Sequence, residues 1–176
     1  VLNALNQALE PDRPSGEPPH FIERQKDYYR LSPHARIVVD ADVFEENISL
    51  SERENLDFAV SLYHGPFLED SPMQQFALIQ KQYYHQQYLI ATENLLQLLL
   101  EENELQAALD LSYKALNVDP VWETGYEAQM TIFHRLNQPS MVHSVYQQFE
   151  TVMQTQLDMD VSPKFKQLYR ELAVKE

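Results

Sequence analysis

Apolar side chains recur at intervals of three and four residues along most of the chain after Asp42. This spacing matches the turn of an α-helix, so each run predicts an amphipathic helix with one buried face. The runs are Val43, Phe44 and Ile48; Leu56, Ala59, Val60 and Tyr63; Phe76, Ile79, Tyr83, Tyr88, Leu95 and Leu98; Leu105, Ala108, Ser112 and Leu116; Trp122, Tyr126, Met130, Phe133 and Leu136; Val142, Val145, Phe149 and Val152; and Phe165, Leu168 and Leu172.

Turn residues between these runs predict where the helices begin and end. His64-Gly65-Pro66 closes the second run, Ser71-Pro72 opens the third, and Ser162-Pro163 opens the last. The third run either continues to residues 101–103 or breaks once near Gln86-Gln87. Because the intervening turns are short, successive helices must be antiparallel neighbours. The sequence therefore predicts an all-α body built as a stack of antiparallel helical hairpins.

One stretch of the helical part fits a known repeat. In the tetratricopeptide pattern of 34 residues, small residues lie where the second helix crosses the first, and a proline stands near the end of the repeat. Ala108, Ala115 and Pro120 have the spacing that this pattern requires. Leu95, Leu96 and Leu99 fall where the first helix should be apolar, although the small residue that the pattern usually has at position 96 is missing. We therefore expect a tetratricopeptide-like stack, in which each hairpin needs its neighbours to bury its apolar face.

The first 39 residues follow a different pattern. Residues 1–10 carry leucines at helical spacing and predict a short helix, and the proline-rich residues 11–19 predict a loop. The sequence FIERQKDYYRL at 21–31 has two β-favouring runs around a polar centre, which predicts a hairpin with basic residues near its tip. IVVD at 37–40 is interpreted as one more short strand. We predict a domain boundary between residues 39 and 40.

The charge of the chain is distributed unevenly between these two parts. The 176 residues include 13 Lys and Arg against 27 Asp and Glu, for a net charge of −14. Residues 1–39 are neutral, so residues 40–176 carry the whole negative charge. An acidic body repels a phosphate backbone, because affinity for nucleic acid depends on cations that displace counterions. If the protein contacts DNA, we expect the contact to involve only the neutral N-terminal part.

Composition also argues against several kinds of chemistry. The chain has no cysteine, and its three glycines are too dispersed to form a phosphate-binding loop. We therefore expect no catalytic site, no cofactor and no metal site, and we interpret the protein as a non-enzyme. The six histidines, none of which forms an i, i+4 pair, are interpreted as surface or turn residues; they are His20, His34, His64, His85, His134 and His143.

Signals for targeting and membrane insertion are not visible in the sequence. The longest apolar run, Leu98-Leu99-Leu100, is far shorter than the roughly 18 residues of a membrane span. Neither a signal peptide nor a transit peptide is recognisable, so we predict a cytoplasmic protein without membrane contact. Because the sequence begins with Val, we expect it to be part of a longer protein.

Four segments together resemble a known family. FIERQKDYYRL, VDADVFEE, LYHGPFLED followed by SP, and LDMDVSPKFKQLYREL are similar to the bacterial transcriptional activator domain found in SARP-type antibiotic regulators and in larger regulators. The resemblance covers essentially the whole chain. In that family a winged helix-turn-helix domain precedes an all-helical, tetratricopeptide-like domain. The resemblance thus implies that residues 1–39 are the recognition-helix end and wing of a DNA-binding domain, and 40–176 the activator domain.

The resemblance also implies which residues of the parent protein would contact DNA. The wing carries Arg24, Lys26 and Arg30, and the helix before it carries Asn6 and Gln7 where family members usually have arginines. These five residues are the predicted DNA contacts, made through the complete winged-helix domain. Family glycines at two turns are replaced by Asn137-Gln138 and by Asp158, and we expect the turns to persist because Asn and Asp tolerate positive φ.

The predicted function is that of a regulatory, protein-interacting domain of a bacterial transcriptional regulator. It would act by self-association or through contacts with transcription machinery or sensor domains. A stack of helices presents a concave surface, and Tyr88, Thr92, Gln129 and Arg135 are its predicted partner-groove residues. The alternative is a tetratricopeptide adaptor unrelated to transcription, in which the N-terminal hairpin would not belong to a winged domain.

Overall fold

Helical periodicity in the sequence translates directly into helices in the computed structural model, which describes residues 2–67 and 77–173. The described residues are mostly helical with one small antiparallel sheet, which confirms the predicted all-α class. The elements are α1 (Leu2–Leu9), β1 (Ile22–Gln25), β2 (Tyr28–Leu31), α2 (Asp40–Leu50), α3 (Arg53–Leu62), α4 (Leu78–Glu101), α5 (Leu105–Val118), α6 (Glu123–Arg135), α7 (Pro139–Leu157) and α8 (Pro163–Ala173). The chain divides into two compact units, residues 1–39 and 40–176, called here the N-terminal unit and the helical unit.

The N-terminal unit joins the short helix α1 to a two-stranded hairpin. β1 and β2 pair antiparallel, with Ile22 opposite Leu31 and Gln25 opposite Tyr28, so the predicted hairpin is confirmed. Lys26 makes the tight turn possible by adopting a left-handed backbone with φ 54°. Glu10, at the end of α1, accepts hydrogen bonds from the backbone N–H groups of His20 (2.8 Å) and Phe21 (3.1 Å). One carboxylate therefore fixes the start of the hairpin relative to the helix.

The further strand predicted at residues 37–40 is wrong. Ile37, Val38 and Val39 have no regular secondary structure and are exposed, and Asp40 already belongs to α2. Asp40 and Asp42 lie in the first turn of α2, where a carboxylate interacts favourably with the positive end of the helix dipole. The β-branched run favours a strand locally, but no neighbouring strand pairs with it in the described structure.

In the helical unit, consecutive helices form antiparallel hairpins. Arg53 at the start of α3 forms an ion pair with Glu104 just after α4, and His85 near the start of α4 lies 3.1 Å from Asp119 after α5. These contacts join opposite ends of neighbouring helices, as antiparallel packing requires. Tight turns complete the hairpins, with Asn137 (φ 56°) and Asp158 (φ 52°) in the left-handed region. The prediction that these turns persist, because Asn and Asp tolerate positive φ, is confirmed.

Alternate helices of the unit run parallel to one another. Arg135 at the end of α6 donates a hydrogen bond to the carbonyl of Leu100 at the end of α4. His134, also at the end of α6, is hydrogen-bonded through Nδ1 to the carbonyl of Leu172 near the end of α8 (3.0 Å). Ser162 before α8 donates to Glu123 at the start of α6 (2.7 Å). Helices α4, α6 and α8 therefore lie side by side in one direction.

Apolar side chains between the helices form a core that continues along the stack. One cluster joins α5, α6, α7 and α8 through Tyr126, Phe149 and Phe165, with the Phe149 ring 4.5 Å from Tyr126 and 4.7 Å from Phe165 between centroids. A second cluster joins α3 to α6 around Leu95 and Ile132. The core is built between hairpins as well as within them, so each hairpin depends on the next for burial.

A glycine allows two of these helices to approach closely. Gly125 in α6 is buried, and a Cβ atom at this position would lie 2.8 Å from Cδ2 of Leu116 in α5 and 3.0 Å from the ring of Trp122. Any larger side chain would have to displace Leu116 or Trp122. The glycine therefore permits the tight contact between α5 and α6, in spite of its low helix propensity.

The long helix α4 departs from the prediction in two respects. It is continuous from Leu78 to Glu101, so the possible break near Gln86-Gln87 does not occur. Ile79, predicted on its apolar face, is 78% exposed. The predicted helix start at Ser71-Pro72 lies outside the described residues. Ser162, in contrast, is a confirmed helix start, since its Oγ accepts a hydrogen bond from the backbone N–H of Phe165 (3.0 Å).

Candidate functional site

One open surface of the helical unit follows one side of α4. Tyr83, Gln87, Ile90 and Asn94 succeed one another at spacings of three and four and so occupy one stripe of the helix. Together with α2 and the buried Leu56 of α3, this stripe encloses a groove of about 330 Å³. Ile90 is 51% exposed and Tyr83 is 43% exposed, so the groove presents apolar surface to solvent.

Carboxylates of α4 and α6 act electrostatically on one ammonium group at the start of α8. Lys164 of α8 lies 2.8 Å from Oε1 of Glu127 in α6, and Glu123 and Glu93 also contribute to the electrostatic environment of Lys164. The hydrogen bond to Glu127 is the largest cause of the raised pKa of Lys164, followed by the negative charges. Glu93 adjoins the groove because it follows Ile90 by three residues on α4. We call Glu93, Glu123 and Glu127 the acidic triplet.

A second cavity, of about 350 Å³, is formed by aromatic residues at the end of α3. It is lined by Phe44, Tyr84 and the motif Tyr63 to Phe67, which carries the most specific part of the family resemblance. Phe67 and Phe44 both contact the ring of Tyr84, with centroids 5.1 Å and 6.2 Å away. Burial raises the pKa of Tyr84, with a further contribution from Glu45. The motif therefore packs the first hairpin against α4.

Three of the four predicted partner-groove residues lie in the interior. Tyr88 is 3% exposed, and Thr92 and Gln129 are fully buried. Gln129 donates a hydrogen bond to Ser112 of α5 (3.1 Å), which gives it a role in joining two helices. Thr92 and Gln129 do not form an open surface in this structure, because α4 and α6 are covered by neighbouring helices on more than one side. Tyr88 lies in the wall of a cavity of about 750 Å³ between α3, α4 and α5. Arg135 is exposed, and it binds the end of α4.

The predicted DNA-binding residues occupy the N-terminal unit and differ in accessibility. Asn6 is 3% exposed, so its side chain is not available to a phosphate in this structure, and we withdraw it from the predicted contacts. Gln7 is exposed. Arg24 donates through Nε to the carbonyl of Lys26 at the hairpin tip (3.1 Å), which brings these two basic residues together. Arg30 forms an ion pair with Glu23 (3.0 Å), which reduces its net charge contribution.

A hydrogen-bonded carboxylate stabilises one edge of the hairpin. Ser32 donates to Glu23 (2.7 Å), and Arg30 donates to the same carboxylate from across the strand pair. These bonds, that of Ser32 first, lower the pKa of Glu23. The carboxylate is therefore ionised at neutral pH and pairs with Arg30 across the hairpin.

Sequence reasoning missed the acidic triplet and its lysine. Glu123 and Glu127 are four residues apart and thus share a helix face, which was a usable signal. The approach of Glu93 and Lys164 to this pair depends on tertiary packing between segments far apart in the sequence. Of the four residues in the groove stripe, only Tyr83 is on a predicted apolar face, and it is 43% exposed.

Other polar contacts in the helical unit are structural. His143 of α7 is hydrogen-bonded through Nδ1 to the hydroxyl of Tyr169 in α8 (2.7 Å). His134 of α6 is likewise hydrogen-bonded to α8, through the carbonyl of Leu172. Within the described ranges, no group of three or more His, Asp or Glu side chains has an arrangement suited to a metal ion. None of the helices in those ranges combines the length and hydropathy that crossing a bilayer requires.

Comparison with known families identifies the helical unit. The sequence profile of the bacterial transcriptional activator domain matches residues 39–173, which is more than three quarters of the chain. The chain belongs to this family. No curated protein sequence matches the chain. The matched residues include α2 to α8, so the groove and the acidic triplet are features of the activator domain itself.

The family assignment gives the activator domain its general role. It is a transcriptional activator-type domain, of the kind found in bacterial transcription regulators. The match confirms the family resemblance for the helical unit, and the N-terminal unit lies outside the matched residues apart from Val39.

Proposed function

We propose that the activator domain regulates transcription by binding proteins, through self-association or through contacts with transcription machinery or sensor domains, and that it has no catalytic role. The observation that carries this proposal is the groove between α2 and α4, where the side chains of Ile90 and Tyr83 expose apolar surface to solvent beside the carboxylate of Glu45. Exposed apolar surface of this kind is available for a protein partner. As a transcription regulator, the parent protein would work in the bacterial cytoplasm.

The arrangement of helices supports a tetratricopeptide-like stack. α6 packs against both helices of the preceding hairpin, α4 and α5, as well as against α7 and α8. Ala108 and Ala115 are completely buried, as small residues at helix crossings of this repeat are expected to be. In a stack of this kind the first helices of successive hairpins form one continuous surface, which is how such repeats bind partners.

The N-terminal unit supports a further proposal, that a SARP-type winged-helix domain precedes the activator domain in the parent protein. A short helix followed by a tight hairpin, tied together by Glu10, has the form expected for the end of a recognition helix and its wing. Gln7, Arg24, Lys26 and Arg30 remain the proposed DNA contacts. Because this unit has only five basic residues balanced by five acidic ones, we expect the isolated chain to bind DNA weakly and without sequence preference.

The proposed function is tested by measuring association of the purified chain. Sedimentation velocity over a wide concentration range detects self-association, and biolayer interferometry against purified bacterial RNA polymerase holoenzyme detects contact with transcription machinery. We expect at least one of them to reveal association with a Kd below about 100 µM, typical of a weak regulatory contact. If the chain neither self-associates nor binds the polymerase in this range, the proposal is contradicted.

Two further outcomes separate the proposal from its alternative. Nanomolar, sequence-selective DNA binding by this chain at physiological salt would contradict the weak DNA binding expected here. If the chain neither self-associates nor contacts the polymerase but binds peptides, the tetratricopeptide adaptor unrelated to transcription is favoured instead.

A further inference from the structure

The groove between α2 and α4 has the composition of a docking site for apolar side chains. Its floor is made by Leu56 and Ala91, both buried, and Ile48 and Ile90 border it. A volume of about 330 Å³ is larger than a leucine or phenylalanine side chain requires. Ile90 lies half exposed at its rim, so a partner side chain seated here would remove apolar surface from water on both molecules.

The acidic triplet adds negative charge on α4 and α6, where Glu93 follows Ile90 by three residues. Glu127 forms an ion pair with Lys164 (2.8 Å), and Glu123 and Glu93 also act electrostatically on Lys164. The side chain of Glu127 is 17% exposed, whereas that of Lys164 is 77% exposed. The carboxylate is therefore held within the surface, while the ammonium reaches it from solvent and is easily displaced. Glu45, which borders the groove, adds negative charge at the apolar end.

The negative charge of this surface indicates which kind of partner it can bind. An acidic surface next to an apolar groove disfavours an acidic ligand and favours one that carries both apolar and basic side chains. On an amphipathic helix, residues three or four apart lie on one face, and Ile90 and Glu93 have that separation on α4. A partner helix lying along α4 would thus present an apolar residue and, one turn later, a basic residue to this surface.

We propose that the surface formed by the α2–α4 groove and the acidic triplet binds a basic amphipathic helical segment of a partner protein, and that Lys164 occupies the partner's cation position in the free domain. This inference rests on the proposed protein-binding function and names its surface and the chemistry of the partner. Binding replaces the ion pair between Lys164 and Glu127 with one between Glu127 and a partner lysine or arginine. Lys164 therefore acts as a competitor that limits affinity.

The experiment uses fluorescence anisotropy of the whole chain with a labelled synthetic peptide. The probe is a helical peptide of about 15 residues, roughly four turns, with leucines on one face and lysines flanking them. A matched peptide with glutamate in place of lysine controls for apolar attraction alone. We expect the basic peptide to bind at low salt and to weaken in high salt, while the acidic peptide does not bind.

Variants of the chain locate the binding surface. Glu127→Gln and Glu93→Gln are each expected to weaken binding by about threefold to tenfold, and Ile90→Ala by about tenfold. Lys164→Gln is expected to tighten binding by about threefold, because the competing ammonium is removed. The matched control is Asp110→Asn on the exposed side of α5, which removes the same charge outside the proposed surface. Circular dichroism checks that each variant folds.

The outcomes are decisive in both directions. Weakening by Glu93→Gln without weakening by Asp110→Asn, together with tightening by Lys164→Gln, supports the proposed surface. Equal effects of Glu93→Gln and Asp110→Asn indicate attraction by net charge only and overturn it, as does unchanged or weaker binding of the Lys164→Gln variant. If the Glu93→Gln and Lys164→Gln variants do not show these effects while the chain still self-associates or binds polymerase, the inferred surface is wrong and the proposed function stands.

Discussion

The two units of this chain bury different kinds of side chain. In the helical unit, Tyr126, Phe149 and Phe165 are almost completely enclosed and belong to a core shared by four helices. Among the described side chains of the N-terminal unit, the buried ones are Asn6 and Ser32, and both are polar. Hydrophobic burial thus stabilises the helical unit, whereas turns and hydrogen bonds to carboxylates hold the small unit together.

This difference has consequences for charge as well as stability. The helical unit can carry all of the net negative charge because its core supplies the favourable free energy that offsets self-repulsion. The N-terminal unit has no comparable apolar core in its described part, and it pairs Arg30 with Glu23 across its hairpin. Substitutions in the two units should therefore differ in size, and the experiments below test this contrast from the largest expected effect to the smallest.

The largest effect is expected from truncation of the central aromatic residue. Phe149→Ala removes a ring that is fully buried between Tyr126 and Phe165, and we expect a loss of about 3–5 kcal/mol in the free energy of unfolding. Urea denaturation measures this loss. The matched substitution Tyr29→Ala in the N-terminal unit, where the ring is 55% exposed, should change the stability of the helical unit by less than about 0.5 kcal/mol. Similar losses at the two sites would contradict the contrast.

A smaller effect is expected where a polar pair crosses the core. Ser112→Ala leaves the buried amide of Gln129 without its hydrogen-bond partner, which should cost about 1–3 kcal/mol in the free energy of unfolding. Adding Gln129→Met to this variant removes the unpaired amide, and the double variant should be more stable than Ser112→Ala alone. Thermal and urea denaturation of the three proteins measure the difference. A double variant less stable than the single one would show that the amide is satisfied in another way.

Turn geometry predicts an effect of about 1 kcal/mol at the turn between α6 and α7. Asn137 has φ 56°, and a residue with a Cβ but no polar side chain is disfavoured in this region by about 1–2 kcal/mol. Asn137→Ala should therefore lower the stability, whereas Asn137→Gly should not lower it. The melting curves of the two variants show whether each substitution lowers the stability. Equal melting temperatures for both variants would rule out backbone strain as the determinant.

The smallest effect concerns an exposed ion pair and depends on pH. Arg53 donates hydrogen bonds to Glu104, and these lower the pKa of that carboxyl below 4.5. A lowered folded-state pKa means that the stabilising contribution exists above about pH 4.5 and disappears as the pH falls through the folded-state value. Glu104→Gln should thus be slightly less stable than the unchanged chain at pH 7, and the difference should shrink as the pH falls below 4.5. A difference that persists in acid would contradict this account.

Sequence reasoning succeeded where one helix face alone decides burial. Tyr126, Met130 and Phe133 were predicted on the apolar face of α6, and all three are buried. It failed for Thr92 and Gln129, which are polar and were predicted to face a partner. Both lie on helices packed on several sides, and the buried Gln129 donates a hydrogen bond to Ser112.

Long-range packing limits what the sequence alone predicts about the candidate site. Ile90 and Glu93 occupy one face of α4 by periodicity, but the approach of Lys164 depends on how α8 lies against α6. The isolated run 37–40 favours a strand by composition, and it remains irregular because no partner strand adjoins it in the described structure. Local patterns predict elements well, whereas the meeting of distant side chains requires the three-dimensional structure.

Helix α8 restricts the ways in which two copies of this domain can join. Phe165, Leu168 and Leu172 pack inward on the core of α6 and α7, and both ends of the helix are hydrogen-bonded to α6. The outward side bears exposed Gln167, Arg170 and Glu171. A second copy would therefore meet polar and charged side chains on this side of α8, with no apolar surface against which its own helices could pack. An apolar contact between two copies would therefore have to use a surface of the domain other than this side of α8.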